Sequence, residues 1–418
     1  MAQNIQFIDL PAQQRSIHAP IQKALSTVLS HGQYILGPEV TQLEKALGAY
    51  TRTTLLLGKA ANERSPQSAH LVHDGGERMQ PTQPKSKVER VYTNIPEVIT
   101  CNSGTDALLL LLMAKKIGPG DAVFVPTFTF AATGEVVALC GATPIFVDVD
   151  LKTFNMLPSS LEVAIKSTQK TSLEPKAIIA VDLFGLPADY DALSVLADKH
   201  NLFLIADSAQ SFGAKIKENR VGTLADATAT SFFPSKPLGG YGDGGAIFTE
   251  DPLLAKTLRS LRVHGQSMDD KYNNIAIGLN SRLDSFQAAV LLEKLKIFDN
   301  ELKRRQEIAT LYHKTLPPAV IPQDIPKTHQ SAFALFTIKT PIDQRDNIMA
   351  QLSAANIPTV IYYKKPLHQQ KAYAHFPCAD KLENSTILCN TVLSLPMHPY
   401  LTDEQVLYIT NAITKAVT

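Results

Sequence analysis

The feature that most constrains the fold is a regular alternation of short apolar runs with amphipathic segments over the first two thirds of the chain. The runs are continuously apolar, which is typical of strands in a mostly parallel sheet that is buried on both faces. The intervening segments have a helical period, so we predict an α/β fold. The predicted strands are residues 122–125, 143–149, 177–183, 202–206, 227–232 and 246–249, and the predicted helices are 105–116, 133–140, 159–167 and 191–199.

The length of the chain predicts two domains. A chain of 418 residues is longer than one ordinary domain. We assign residues 1–280 to a large domain, and residues 281–418 to a bridging helix followed by a smaller α+β domain. The bridging helix is predicted to run from 281 to about 316, and the small domain to have strands at 333–337 and 358–363. From about 52 to 92 the chain is polar and has no helix or strand period, so we interpret this segment as an irregular insertion.

Composition argues against several classes of partner. The formal net charge is +1, which gives no electrostatic reason to expect nucleic acid or an anionic membrane as a partner. The longest apolar run, residues 107–114, is far shorter than the ~20 residues of a membrane span. The four cysteines have no zinc-site spacing, and the N-terminus lacks the pattern of a signal peptide. We therefore expect reduced thiols, no metal site and a cytoplasmic location.

Two polar residues stand where a parallel sheet binds its ligands, beyond the carboxyl ends of strands. Asp207 ends an apolar strand, and Lys236 lies between a second strand and a glycine-rich segment, residues 239–245. A lysine can hold an aldehyde as a Schiff base, and a carboxylate can pair with a pyridinium nitrogen; this is the arrangement that pyridoxal 5'-phosphate (PLP) needs. The apolar neighbours Phe232 and Phe233 favour a lowered lysine pKa, as imine formation requires. A surface lysine and a capping aspartate are the alternatives.

The segment that precedes the most apolar helix has the features of a phosphate site. Gly104 lies where free backbone N–H groups at a helix N-terminus bind phosphate, and it lets the anion approach closely. Alternatively, Ser103 or Thr105 only caps the helix. Ser231, five residues before the lysine, is either a core residue or a phosphate ligand, and we favour the ligand. The aromatic residues in Pro126-Thr-Phe-Thr-Phe130 are either core or a platform for the pyridine ring.

Taken together, these motifs resemble the DegT/DnrJ/EryC1/StrS family of PLP-dependent sugar aminotransferases. The resemblance covers nearly the whole chain outside the insertion, and its motifs are specific in combination. The segments that carry it are residues 32–40, 101–108, 207–213, 231–245 and 278–284.

The resemblance implies a type I aminotransferase fold and a homodimer with shared active sites. It implies that Lys236 carries PLP and that Asp207 holds the ring nitrogen. The other roles that it implies are ring contacts from Gln210 and Phe130, phosphate contacts from the backbone of Thr105 and Asp106 and from the Ser231 hydroxyl, a phosphate contact across the dimer interface from Asn280, and substrate contacts from Arg282, Tyr362 and Tyr363.

The resemblance also implies the reaction. L-Glutamate would donate the amino group, and a UDP-linked keto sugar, most closely a 3-oxo uronate, would accept it for lipopolysaccharide or other surface-polysaccharide biosynthesis. The alternatives are a 4-keto nucleotide sugar, or a binding or regulatory protein on the same scaffold; a sugar dehydratase would have histidine in place of Lys236. Tyr362 stands where close relatives have histidine, so a positive charge toward the uronate carboxylate is missing there, while Lys364 and Lys365 follow.

Overall fold

The computed structural model describes residues 5–52 and 95–418, so nearly all of the predicted insertion lies outside the described residues. In chain order the strands are β1 (Glu97–Cys101), β2 (Asp121–Pro126), β3 (Thr143–Val147), β4 (Glu174–Val181), β5 (Phe203–Asp207), β6 (Lys215–Ile216), β7 (Asn219–Arg220), β8 (Ala227–Ser231), β9 (Gly245–Thr249), β10 (Ile321–Pro322), β11 (His329–Gln330), β12 (Phe336–Lys339) and β13 (Val392–Leu395). The helices are α1 (Leu10–Ser16), α2 (His18–His31), α3 (Pro38–Thr51), α4 (Gly104–Ala114), α5 (Ala132–Leu139), α6 (Pro158–Thr168), α7 (Tyr190–Lys199), α8 (Pro252–Leu261), α9 (Ser285–Leu295), α10 (Phe298–Thr315), α11 (Arg345–Ala354), α12 (Glu383–Thr391) and α13 (Asp403–Val417).

The central element is a 7-stranded sheet with the order β1-β9-β8-β5-β4-β2-β3. The pairs from β8 to β3 are parallel, and β9 runs antiparallel to both of its neighbours. All strands except β9 therefore point the same way, and their carboxyl ends meet at one edge. Asp207 and Ser231 are the last residues of two neighbouring strands at this edge, as the sequence predicted. Ligands of such sheets bind at this edge.

Helices cover both faces of the sheet, which explains why its strands are continuously apolar. On one face, α4, α5 and α8 contribute residues such as Leu111, Val136 and Leu258 to a buried core. On the other face, α3, α6, α7 and α9 contribute a second core that includes Leu47 and Leu291. Burying apolar side chains on both faces stabilises the sheet as a rigid platform for the loops at its carboxyl edge.

The C-terminal part of the chain forms a smaller α+β unit. Strands β10, β12 and β13 make an antiparallel sheet, and α10, α11 and α13 pack on it around Tyr312, Ile338, Leu352 and Ile409. The boundary near residue 280 stays a prediction. No helix among the described residues has the length and apolar character to cross a membrane.

Three predicted elements of the C-terminal part differ from the structure. The single bridging helix is two helices, α9 and α10, separated by Lys296 and Ile297. Both α9 and the first turns of α10, with Phe298 and Leu302, pack in the core of the large sheet, whereas Tyr312 further along α10 packs in the small unit. The strand at 333–337 begins only at Phe336, because residues 332–335 form a turn that bonds to Phe184 and Gly185. Residues 358–363 form no strand and make one isolated bridge, Val360 to Ser394.

Candidate active site

Loops at the carboxyl edge of the large sheet surround a cavity of about 440 Å³. It brings together most of the side chains that the sequence predicted. The predicted residues that line it are Gly104, Thr105, Phe130, Asp207, Gln210, Ser231, Lys236, Tyr362 and Tyr363, whereas Asp106, Asn280 and Arg282 do not. Residues as far apart in the chain as Gly104 and Tyr363 thus share one site.

Lys236 and Asp207 are an oppositely charged pair in this cavity, which Asp243 also lines. Burial lowers the pKa of the Lys236 amine, and the nearby Asp207 charge opposes that shift. Burial likewise raises the pKa of Asp207, and its hydrogen bond from the Ala209 N–H and the Lys236 charge oppose this. The Asp207 carboxylate accepts bonds from the Thr133 hydroxyl and the Ala209 N–H, both at 3.3 Å. These two hydrogen bonds therefore fix the orientation of the Asp207 carboxylate.

The N-terminus of α4 lies directly beside Ser231. A Cβ atom added at Gly104 would lie 2.7 Å from the Ser231 Cβ, so only glycine allows this close approach. The first N–H groups of a helix have no acceptor within the helix, which leaves donors for an anion at this point. The Ser231 hydroxyl and the residues Gly104 and Thr105 all line the cavity. Their arrangement fits a phosphate group.

The alternative role of this segment, capping of the helix, is also present, and Ser103 performs it. Ser103 is the N-cap of α4, and its hydroxyl accepts a bond from the Asp106 N–H at 3.0 Å. The Asp106 carboxylate accepts a bond from the Ser281 hydroxyl at 2.7 Å. A phosphate contact from the Asp106 N–H stays a prediction, and it requires that this N–H give up its bond to Ser103.

The structure separates the two candidate aromatic residues. Phe128 is buried and packs edge-on against Phe184 and Tyr363, so it belongs to the core. Phe130 lines the cavity and is 59% exposed, which leaves its ring free to stack on a ligand. Only Phe130 therefore remains as a candidate for the aromatic platform.

Gln210 and Tyr363 approach each other in the cavity. The Gln210 side-chain oxygen accepts a bond from the Phe184 N–H at 2.7 Å, so its amide nitrogen points the other way. That nitrogen donates to the Tyr363 hydroxyl at 3.5 Å. Because the Tyr363 hydroxyl accepts this bond, its own proton is available for another acceptor. Tyr362 lines the cavity beside it.

Asn280 and Arg282 lie outside the cavity of their own chain. Asn280 is exposed and Arg282 is partly exposed. Ser281, between them, bonds Asp106 and also accepts a bond from the Asn102 N–H at 3.2 Å, which ties this segment to the start of α4. Sequence reasoning missed this tie, because a serine between two recognisable residues carries no signal of its own.

The groups that line the cavity fit PLP. They comprise an amine, a buried carboxylate, an exposed aromatic ring, and a hydroxyl beside a helix N-terminus. These match the aldehyde, the ring nitrogen, the ring face and the phosphate of that cofactor. Among the described residues, no group of three or more His, Cys, Asp or Glu side chains is arranged to hold a metal ion.

Comparison with known proteins found aminotransferases that are similar over nearly the whole chain. The sequence profile of the DegT/DnrJ/EryC1/StrS aminotransferase family matches residues 87–414. The chain is 41% identical to the Pseudomonas aeruginosa UDP-2-acetamido-2-deoxy-3-oxo-D-glucuronate aminotransferase, over 98% of this chain and 99% of that protein. It is 35% identical to the Streptomyces venezuelae dTDP-3-amino-3,4,6-trideoxy-alpha-D-glucose transaminase, over 98% and 95% of the two chains.

A solved structure of an aminotransferase of this family has the same fold. The crystal structure of a DegT DnrJ EryC1 StrS aminotransferase from Brucella abortus superposes with a TM-score of 0.86 and 45% sequence identity, over 98% of this chain and 99% of that one. The fold, the cavity and these similarities together show that the chain belongs to the DegT/DnrJ/EryC1/StrS aminotransferase family and has the type I fold of PLP-dependent aminotransferases.

Proposed function

We propose that this PLP-dependent aminotransferase transfers the amino group of L-glutamate to C-3 of a UDP-linked 3-keto sugar, with UDP-3-oxo-N-acetylglucosaminuronate as the preferred acceptor. The observation that carries the proposal is the cavity that unites Lys236, Asp207 and Ser231 in a chain 41% identical to an enzyme named for that substrate. The second relative is named for a dTDP-linked 3-amino sugar, so both names support transfer at C-3.

In this proposal Lys236 is the catalytic residue. When bound, PLP supplies an aldehyde that carries the amino group and a ring that accepts electrons from the reacting carbon. The lowered pKa of Lys236 raises the fraction of its Nζ amine that is unprotonated near neutral pH. Nζ would then be able to bond the aldehyde, with loss of water, and to move a proton as base and then acid. Asp207 would accept the N–H of the ring nitrogen and so would favour the positive charge there.

The remaining cofactor contacts divide between the two ends of the ring. Phe130 and Gln210 would lie against its faces, and Ser231 with the N–H groups of Gly104, Thr105 and Asp106 would hold the phosphate. The close packing of Gly104 on Ser231 supports this assignment, because it brings the hydroxyl next to the helix N-terminus.

We further propose a homodimer in which each site takes Asn280, and with it Arg282, from the other subunit. The apolar side chains Tyr272, Ile275 and Ile277 precede Asn280 and are 83%, 67% and 88% exposed, which favours a protein partner for this segment. Mixing Lys236→Ala with Asn280→Ala subunits tests this arrangement, because each mixed dimer regains one intact site. Activity should rise well above that of either variant alone, and no rise would contradict shared sites.

Tyr362 and Tyr363 are the proposed substrate contacts from the C-terminal unit. The Tyr363 hydroxyl has a free proton to donate to a sugar oxygen. Arg282, and the exposed Lys364 and Lys365 after the tyrosines, bring positive charge for a uronate or a diphosphate. A cytoplasmic role in lipopolysaccharide or other surface-polysaccharide biosynthesis completes the proposal, and the four free cysteines support a reducing compartment.

The substrate assignment is tested by turnover with a panel of keto sugars. Purified enzyme, PLP and L-glutamate are incubated with the UDP-linked 3-oxo uronate, its neutral 3-oxo counterpart, a dTDP-linked 3-keto sugar and a UDP-linked 4-keto sugar. We expect the highest kcat/KM for the 3-oxo uronate and amine at C-3 in the product. A higher kcat/KM for the 4-keto sugar would contradict the proposed acceptor and would make the 4-keto sugar the substrate.

A further inference from the structure

Asp182 is a buried carboxylate that the reaction described above does not use. It follows β4 at the carboxyl edge of the sheet, yet its side chain is 0% exposed and does not line the cavity. One oxygen, Oδ2, accepts bonds from the hydroxyls of Ser208 at 2.7 Å and Ser211 at 2.6 Å. The other, Oδ1, accepts bonds from the Tyr190 hydroxyl at 2.7 Å and the Ala188 N–H at 2.9 Å.

These bonds control the turn that follows Asp207. The two serines are its first and last residues, and Ala209 and Gln210 lie between them. The Ala209 N–H donates to the Asp207 carboxylate, so the orientation of that carboxylate depends on the conformation of the turn. Because one Asp182 oxygen accepts from both serines, it fixes both ends of the turn at once.

The segment that begins at Asp182 makes two further ties to the same turn. The Asp182 N–H donates to the Asp207 carbonyl at 3.0 Å. The Phe184 N–H donates to the side-chain oxygen of Gln210 at 2.7 Å, and the left-handed backbone of Phe184, with φ 62°, directs that N–H. The residues after β4 thus hold Asp207 and the turn that follows it through four hydrogen bonds.

We propose that Asp182 is a positioning residue, whose ionised carboxylate holds the turn at residues 208–211 so that Asp207 and Gln210 keep the orientation in which they meet the cofactor ring. This inference rests on the proposed function, because it assigns Asp182 to the same site. Burial raises the pKa of Asp182 to about 6, so the carboxylate is ionised at neutral pH. Its four donors require two acceptor oxygens, and a carboxylate provides them.

An asparagine has nearly the same shape but provides only one acceptor oxygen. If its NH₂ group faced Ser208 and Ser211, both hydroxyls would lose their acceptor. If the NH₂ group faced the other side, it would lie against the Ala188 N–H, and two donors would face each other. Asp182→Asn should therefore disturb the turn without leaving a cavity. Asp148→Asn is a matched control, because Asp148 is also a buried carboxylate that accepts bonds from Ser385 and Asn384 but does not line the cavity.

The experiment compares wild type with both variants by two measurements. The first is the dissociation constant of PLP from the apoprotein, followed by visible absorbance. The second is the free energy of unfolding of the apoprotein in urea. Asp182→Asn should raise the PLP dissociation constant by about 10- to 100-fold, the range found when groups that orient metal-binding residues are removed, while its apoprotein still unfolds in one cooperative urea transition. Asp148→Asn should leave PLP affinity unchanged.

A second variant guards against misfolding of the first. Ser208→Ala combined with Ser211→Ala removes the two donors and leaves the Asp182 charge, and it should weaken PLP binding in the same direction. Wild-type PLP affinity in both variants would overturn the inference, as would a loss that matches the Asp148→Asn control. If wild-type protein itself binds no PLP or transfers no amino group, the proposed function fails instead, so the two failures are distinct.

Discussion

Asp207 and Lys236 line one cavity, and the charge of each offsets part of the pKa shift that burial imposes on the other. Burial alone would favour a neutral acid and a neutral amine. The pair therefore suits a reaction that needs a carboxylate opposite a cationic ring nitrogen and an amine that gives up its proton easily.

Replacing Lys236 by alanine should abolish transfer without loss of the fold. Proton transfer by a positioned group contributes typically ~10²- to 10⁴-fold, and Lys236 also forms the bond to the cofactor, so turnover should fall by at least about 10³-fold. The free energy of unfolding should be unchanged or higher, because a partly desolvated charge is removed. Initial rates and urea unfolding check both statements. Lys256→Ala, at an exposed lysine, is the control and should behave as wild type.

Gly104→Ala should weaken PLP binding, because the added Cβ would lie 2.7 Å from the Ser231 Cβ. Overpacking of this kind costs about 1–3 kcal/mol, which corresponds to roughly a 5- to 150-fold rise in the dissociation constant. Gly118→Ala is the matched control, because its Cβ would meet only the Cys140 carbonyl, at 3.6 Å. Equal PLP affinity in the two variants would contradict the phosphate site at α4.

Tyr362→His should improve recognition of an acidic sugar. Burial raises the pKa of Tyr362, so the phenol is neutral, whereas a histidine is largely protonated at pH 6 and brings a positive charge to a carboxylate. We expect KM for the UDP-linked 3-oxo uronate to fall by about 5- to 10-fold at pH 6, the effect of one charge-assisted hydrogen bond, and little at pH 8. KM for the neutral 3-oxo sugar should not change. Equal effects on both sugars would show that Tyr362 does not face the carboxylate.

The free energy of unfolding of the apoprotein should depend on pH because Asp182 titrates in the native state. Its pKa rises from 3.8 to about 6 through burial, and the titratable Tyr190 donates a hydrogen bond to it. Asp207 contacts Asp182 through its backbone carbonyl and acts electrostatically on Tyr190. Between these pH values the native state binds more protons at this group than the unfolded chain does. The contribution of protonated Asp182 to the free energy of unfolding is therefore complete below pH 3.8 and is lost as the pH rises through about 6.

Urea unfolding of wild type and Asp182→Asn between pH 4 and pH 7 checks this titration. Because the variant lacks the ionisation, its free energy of unfolding should increase relative to that of wild type by roughly 2 kcal/mol across this range. A difference that does not vary with pH would contradict a buried carboxylate that titrates in the native state.

The central sheet and the core of the site were predictable because their signals are local. A strand buried on both faces is continuously apolar, so a single acid at its end, such as Asp207, stands out. Parallel strands end at one edge, so Asp207, Ser231 and Lys236 were expected to meet there, and they line one cavity.

Other features depend on contacts that no local pattern encodes. Asp182 has the same signal as Asp207, an acid at the end of an apolar run, but it turns away from the cavity to bind Ser208 and Ser211. The break between α9 and α10 contains neither glycine nor proline, so no local signal marks it in the sequence.

The measurement that tests the account most directly is the visible absorbance spectrum of the protein reconstituted with PLP, before and after addition of L-glutamate. We predict that the yellow band of lysine-linked PLP forms, is bleached by glutamate, and returns when the UDP-linked 3-oxo uronate is added. Lys236→Ala should not form the band. If the wild-type protein forms no such band, or if glutamate leaves it unchanged, the proposed transfer of an amino group from glutamate is contradicted.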